Sequence, residues 1–94
     1  MEFEWDPAKA EKNLRKHGID FVRAEDVFFD PKCVRQDSTS EHDTELRSKA
    51  VGRIEDGRLV AVIYTMREER IRIISARRAR DNERRKYDTS SKTT

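Results

Sequence analysis

An α+β fold follows from three observations in this 94-residue chain. The first third carries helix punctuation, with Asp6-Pro7 and Gly18 bracketing one segment and Asp20 and Asp30-Pro31 the next. The middle holds two β-rich runs, 49–54 and 58–65, on either side of Glu55-Asp56-Gly57, followed by a third run, 70–76. After Ser75-Ala76 the spacing turns helical again. The order predicts two N-terminal helices, an antiparallel sheet built on a three-stranded meander, and a C-terminal helix.

Each element has its own cause. Phe3-Glu4-Trp5 reads as a short strand. Asp6 is placed to cap the helix that follows, Pro7 fits its first turn, and Gly18 suits a left-handed C-terminal cap. Ala10, Leu14 and His17 share one face at helical spacing, and Lys9, Lys12 and Lys16 form another stripe. After Asp20 a second short helix presents Phe21, Ala24, Val27 and Phe28, and Asp30-Pro31 ends it. Cys33-Val34-Arg35 is a brief strand, and 36–48 is a polar loop. Gly57 provides the turn between the first two long strands, and Arg67-Glu68-Glu69 separates the second from the third. The central run, LVAVIYT, is apolar on both faces, which predicts a sheet covered on both sides. Residues 1–87 form a single domain, and 88–94 read as an unstructured tail. Trp5 and Phe21 read as core or helix-staple residues, and Cys33 as a small buried apolar group.

The composition narrows the function classes. A charged fraction of 43% against 34% apolar leans toward disorder, but the apolar residues are gathered into periodic blocks. One cysteine excludes an intrachain disulfide and any multi-cysteine zinc site. The sequence contains no apolar run of membrane-spanning length, and acidic residues follow Met1, so a cytoplasmic protein is expected.

Charge is divided unevenly. From Arg67 to Tyr87 nine Lys or Arg stand against four Asp or Glu, while residues 1–66 hold eleven against fourteen. The net charge of +2 therefore conceals a basic C-terminal third. Several of its arginines lie on the strand that carries Ile71, Ile73 and Ile74, in fixed positions. Guanidinium groups match phosphate oxygens, so the array points to a phosphate-bearing partner; the alternative is a solvated face neutralised by the acidic first half.

Four motifs, taken in order, resemble one family. They are Trp5-Asp6 with Lys9; Asn13 with Lys16-His17-Gly18; the hairpin from Val51-Gly52 to Tyr64-Thr65-Met66-Arg67; and Arg72-Ile73-Ile74-Ser75-Ala76-Arg77 with Glu83-Arg84 and Tyr87. Together they resemble the BrnT toxins of type II toxin–antitoxin systems, from Phe3 to about Tyr87. The resemblance implies a RelE-like fold, RNA cleavage, and a BrnA-like antitoxin, expected to be a ribbon-helix-helix protein, which wraps the toxin in a hetero-oligomer and alone contacts operator DNA.

A ribonuclease working without a metal or other cofactor must activate the RNA 2′-hydroxyl, stabilise the phosphorane and protonate the leaving oxygen. The candidates for catalysis are His17, Arg67, Arg77 and Tyr87. Those for RNA binding are Lys9, Lys12, Lys16, Arg78 and Glu83. An imidazole titrates near neutrality and suits proton transfer, although His17 equally fits a helix C-terminal cap. Tyr87 suits base stacking or packing of the last helix. Glu83 reads as a general base or, more simply, as the salt-bridge partner of a sheet arginine. The lysine stripe either guides RNA or is a solvated helix face. Arg67 falls beside Arg70 across the turn, and adjacency of Arg67 and Arg77 does not follow from the pattern. Two other functions fit the same residues: a nucleic-acid-binding module without catalysis, and an interaction protein for an acidic partner.

Overall fold

A computed structural model describes residues 1–42 and 44–92. The elements run β1 (Glu2–Glu4), α1 (Pro7–His17), α2 (Phe21–Ala24), a 3-10 segment (Glu25–Phe29), β2 (Val34–Asp37), β3 (Ser48–Arg53), β4 (Leu59–Arg67), β5 (Arg70–Arg78) and α3 (Asp81–Lys92). The strands form one sheet in the order β1-β5-β4-β3-β2. The expected meander is β3-β4-β5, antiparallel throughout. β1 adds to it in parallel, pairing Glu2 to Glu4 with Arg70 to Arg72. A short edge strand accepts either direction because a helical crossover, here α1 onward, returns the chain.

Local signals place the helix ends. Asp6 accepts the Ala8 N–H at 2.9 Å, and Asp20 accepts that of Val22 at 2.9 Å. Gly18 adopts φ 69°, a left-handed cap that a Cβ would strain. The second helix is shorter than the sequence suggests, since after Ala24 it tightens into the 3-10 segment. That segment crosses β3 so closely that a Cβ on Gly52 would lie 2.9 Å from the Val27 carbonyl oxygen. The β4–β5 turn places Glu68 at φ 49° and Glu69 at φ 68°, where hairpins usually use Asn or Gly.

The two-sided burial of β4 is met by two cores. On one face, α1, α2 and the 3-10 segment cover Ala50, Val60, Val62, Tyr64, Ile71, Ile73 and Ala76 with Ile19, Phe21, Val27 and Phe28. Trp5 packs edge-to-face on Phe21 there, and half-buried Cys33 packs against the same cluster. On the other face, Tyr87 of α3 closes a smaller cluster with Val51, Leu59 and Ala61. Leu14 is 47% exposed, and the buried residue of α1 is Asn13. α3 continues to Lys92, through most of the segment expected to be a tail, whose last two residues lie outside the described residues. Among the described residues no helix is long and apolar enough to cross a membrane.

Candidate functional site

β1 reaches only as far as Arg72 along β5, so the outer edge of β5 beyond that point has no strand beside it. Tyr64 pairs with Ile73 and Ile63 with Ser75, which leaves Ile74 as an extra, bulged residue at this edge. Asn13 takes the place of the missing strand. Its Nδ2 donates to the Ala76 carbonyl at 2.8 Å and to the Ile19 carbonyl at 3.0 Å, and its Oδ1 accepts the Ala76 N–H at 3.1 Å. One buried amide thus closes the sheet edge and ties it to the end of α1.

The helix held in this way stands beside the bulge and leaves a cleft of about 190 Å³ between them. Lys9, Lys12, Asn13, Lys16 and His17 line it from α1, with Ile74 and Ser75 on the strand side. Positions 9, 12 and 16 fall on one helical face because they are three and four residues apart. Among the described residues none of these three lysines has a carboxylate partner within salt-bridge distance. No carboxylate lines the cleft either, so its field is positive, and it can hold an anion such as a phosphate.

The other candidates lie elsewhere. Arg67, at the far end of β4, is opposite Arg70 as expected and donates to Glu45 at 3.5 Å. Arg77 is opposite Ala61, on the α3 face of the sheet, and grips Glu83 through two hydrogen bonds of 2.7 and 2.9 Å. Glu83 is only 2% exposed; it also receives Lys49 Nζ at 2.7 Å and the Arg80 N–H at 2.8 Å. Burial alone would push its carboxyl up, but the bonds from Arg77, Arg80 and Lys49 override that and hold it at about 2. The same carboxylate helps to cap α3 three residues after Arg80. Tyr87 is buried, and its hydroxyl donates to Asp30 at 2.7 Å. Burial, reinforced by that bond, raises its phenol to about 12. Arg78 is exposed at the end of β5, two residues beyond Ala76.

The structure therefore gathers His17 and the three lysines, and separates them from Arg67, Arg77 and Tyr87. Glu83, considered for RNA binding, is enclosed by cations of its own fold and has no free acceptor surface. Lys49, Ile74 and Ser75 were missed from the sequence. The doubled apolar pair Ile73-Ile74 breaks the alternation of β5 and was the available sign of a bulge; nothing in the pattern marks Lys49.

A small α+β domain with a cationic cleft between a helix and an open strand edge defines a class of proteins suited to an anionic partner. The particular family is shown by sequence. The model of the ribonuclease toxin BrnT of type II toxin–antitoxin systems matches residues 5–83, and the chain belongs to that family. A crystal structure of the Brucella abortus ribonuclease toxin BrnT is similar over 86% of this chain and 99% of its own, at 28% identity and a TM-score of 0.63. No curated protein sequence matches the chain significantly. Membership implies a ribonuclease toxin and, since type II systems pair each toxin with a protein antitoxin, an antitoxin partner.

Proposed function

We propose that the chain is a metal-independent endoribonuclease whose working site is the α1–β5 cleft. The observation that carries the reading is the gathering of His17 with Lys9, Lys12 and Lys16 around one opening. The His17 imidazole takes the proton of an RNA 2′-hydroxyl, and the 2′-oxygen attacks the adjacent phosphorus. The lysine ammoniums stabilise the charge on the phosphorane. The bond to the 5′-oxygen breaks, that oxygen takes a proton from an ammonium, and a 2′,3′-cyclic phosphate and a 5′-hydroxyl result. DNA lacks the 2′-hydroxyl and is spared. The donor set of the cleft is ammonium, imidazole and hydroxyl, which suits phosphate and not a hard divalent cation.

The remaining candidates take supporting parts. Arg78 extends the cationic edge of β5, and Arg67 offers an exposed guanidinium at the other end of the sheet. Arg77 and Tyr87 act as positioning residues, anchoring α3 through Glu83 and Asp30. In the cell, cleavage arrests growth until a DNA-binding antitoxin covers the basic surface.

The test is RNA cleavage by the purified chain in excess EDTA, beside His17→Gln. Loss of one proton-transfer group lowers the rate by roughly 10²- to 10⁴-fold, with RNA binding retained. Full activity of His17→Gln, or cleavage that returns only on adding Mg²⁺, refutes the mechanism. Tight RNA binding without any cleavage by the unaltered chain selects the non-catalytic binding module instead.

A further inference from the structure

We infer that the α1–β5 cleft holds the sugar–phosphate backbone of single-stranded RNA and does not read its bases; this rests on the cleft being the RNA site. Base identity is read by free side-chain groups that match the donors and acceptors of a base edge. Of the side chains lining the cleft, the His17 imidazole could do so, and the proposed mechanism uses it on the 2′-hydroxyl.

Its hydrogen-bonding inventory is short. Asn13 is the one lining side chain with an amide, the group that pairs well with a base edge. Both of its N–H donors are committed, to Ile19 and Ala76, and its oxygen already accepts the Ala76 N–H. An Asn used as a surrogate strand cannot also discriminate a base. The lysines carry compact, strongly hydrated charges that attract any phosphate without regard to the base attached. Their spacing spreads them over about 10 Å of helix axis, so the row follows a strand and does not enclose one nucleotide. Ile74 is apolar, and Ser75 offers a single hydroxyl.

The phenylalanine, tyrosine and tryptophan side chains are placed elsewhere. Phe21, Phe28, Tyr64 and Tyr87 are buried, and Phe3 and Trp5 pack against the main core. Phe29 is the exposed ring, at 64%. It lines a different cavity, with Asp26, Asp30, Glu55, Arg53 and Ile54, where carboxylates outnumber cations and repel RNA. The ring at the cleft is the His17 imidazole, and stacking on it accepts any base, because every base has a π-face.

The experiment measures binding by fluorescence anisotropy, with the full chain and uncleavable 2′-fluoro RNA oligomers of adenine, of cytosine, of uracil and of mixed sequence, at several salt concentrations. The expected dissociation constants agree within about tenfold across the four oligomers. The logarithm of affinity falls with the logarithm of salt with a slope of about −2, from three lysine–phosphate contacts at about −0.7 each. Lys9→Ala, Lys12→Ala and Lys16→Ala each flatten that slope by the same amount for every oligomer; all three side chains are on the exposed helix surface, so the core is untouched. A preference beyond tenfold for one base, or a slope that none of the three substitutions changes, overturns the inference. A chain that binds in the expected manner yet never cleaves RNA supports backbone reading and counts only against the proposed catalysis.

Discussion

Replacing Glu83 with Gln tests what holds α3 to the sheet. Glu83 is the one carboxylate shared by Arg77, Lys49 and the start of α3. The amide keeps the size of the side chain but leaves two cations facing each other without a counter-charge. Removing one partner of a buried pair costs about 3–5 kcal/mol. Arg77 and Lys49 remain 19% and 14% exposed, so water relieves part of the strain, and a loss of about 2–3 kcal/mol is expected. That is a large share of the 5–15 kcal/mol typical of a domain. The effect also has a pH signature. The folded-state pKa of Glu83, about 2, is below its ordinary 4.5, so the unfolded chain takes up the proton first. The stabilisation is complete above about pH 4.5 and drains away as pH falls toward 2. Urea unfolding of both proteins from pH 7 to pH 3 should show a constant gap near neutrality that narrows below pH 4.5, because there the unfolded chain with Glu83 binds a proton that its folded state does not, and the Gln variant has no such proton to gain. Equal stability at pH 7, or a gap that stays constant into acid, refutes the argument that this ion cluster anchors the helix.

Asn13→Ala should cost about 2–4 kcal/mol, since it leaves the buried Ala76 N–H and two carbonyls unpaired; hydrogen exchange at the Ala76 amide should accelerate more than at Val62 in the neighbouring strand, and uniform acceleration would argue against an edge-specific role. Glu69→Gly relieves a side chain held at φ 68° and should raise Tm by a few degrees, a gain of about 1 kcal/mol; a lower Tm would show that the turn is not strained. Tyr87→Phe removes the hydroxyl bonded to Asp30 but keeps the ring, for a loss of about 1 kcal/mol in chemical denaturation. Spectrophotometric titration of the native protein should show one of its two tyrosines ionising only near pH 12, and this late step should vanish in the variant.

Much of the fold is determined by short-range rules that the sequence carries by itself. Asp6-Pro7, Gly18 and Asp20 specify helix ends through their own side chains and backbone preferences, so they could be placed without tertiary knowledge. The meander followed from the Gly57 turn and from strand runs long enough to show a period. The double apolar face of LVAVIYT required cover on both sides, and the two cores provide it. The family was legible because its motifs recur in order along nearly the whole chain, and the match over residues 5–83 bears this out.

What the tertiary structure decided is which charged residues meet. β1 joins β5 in parallel through long-range pairing that no local pattern encodes. Its early end exposes the strand edge that Asn13 then closes, so a polar residue on a helix became a structural member and Leu14 was left in solvent. Arg77 and Tyr87 share the basic third with Arg67 and Arg78, yet side chains alternate across a sheet, and the strand direction sends Arg77 to the α3 face and away from His17. Glu83 and Lys49 are thirty-four residues apart in the chain, and only the stacking of α3 on β3 makes them a pair. Charge type is a property of the residue; charge partnership is a property of the fold, because Coulomb attraction at a few ångströms depends on distances that sequence separation does not set.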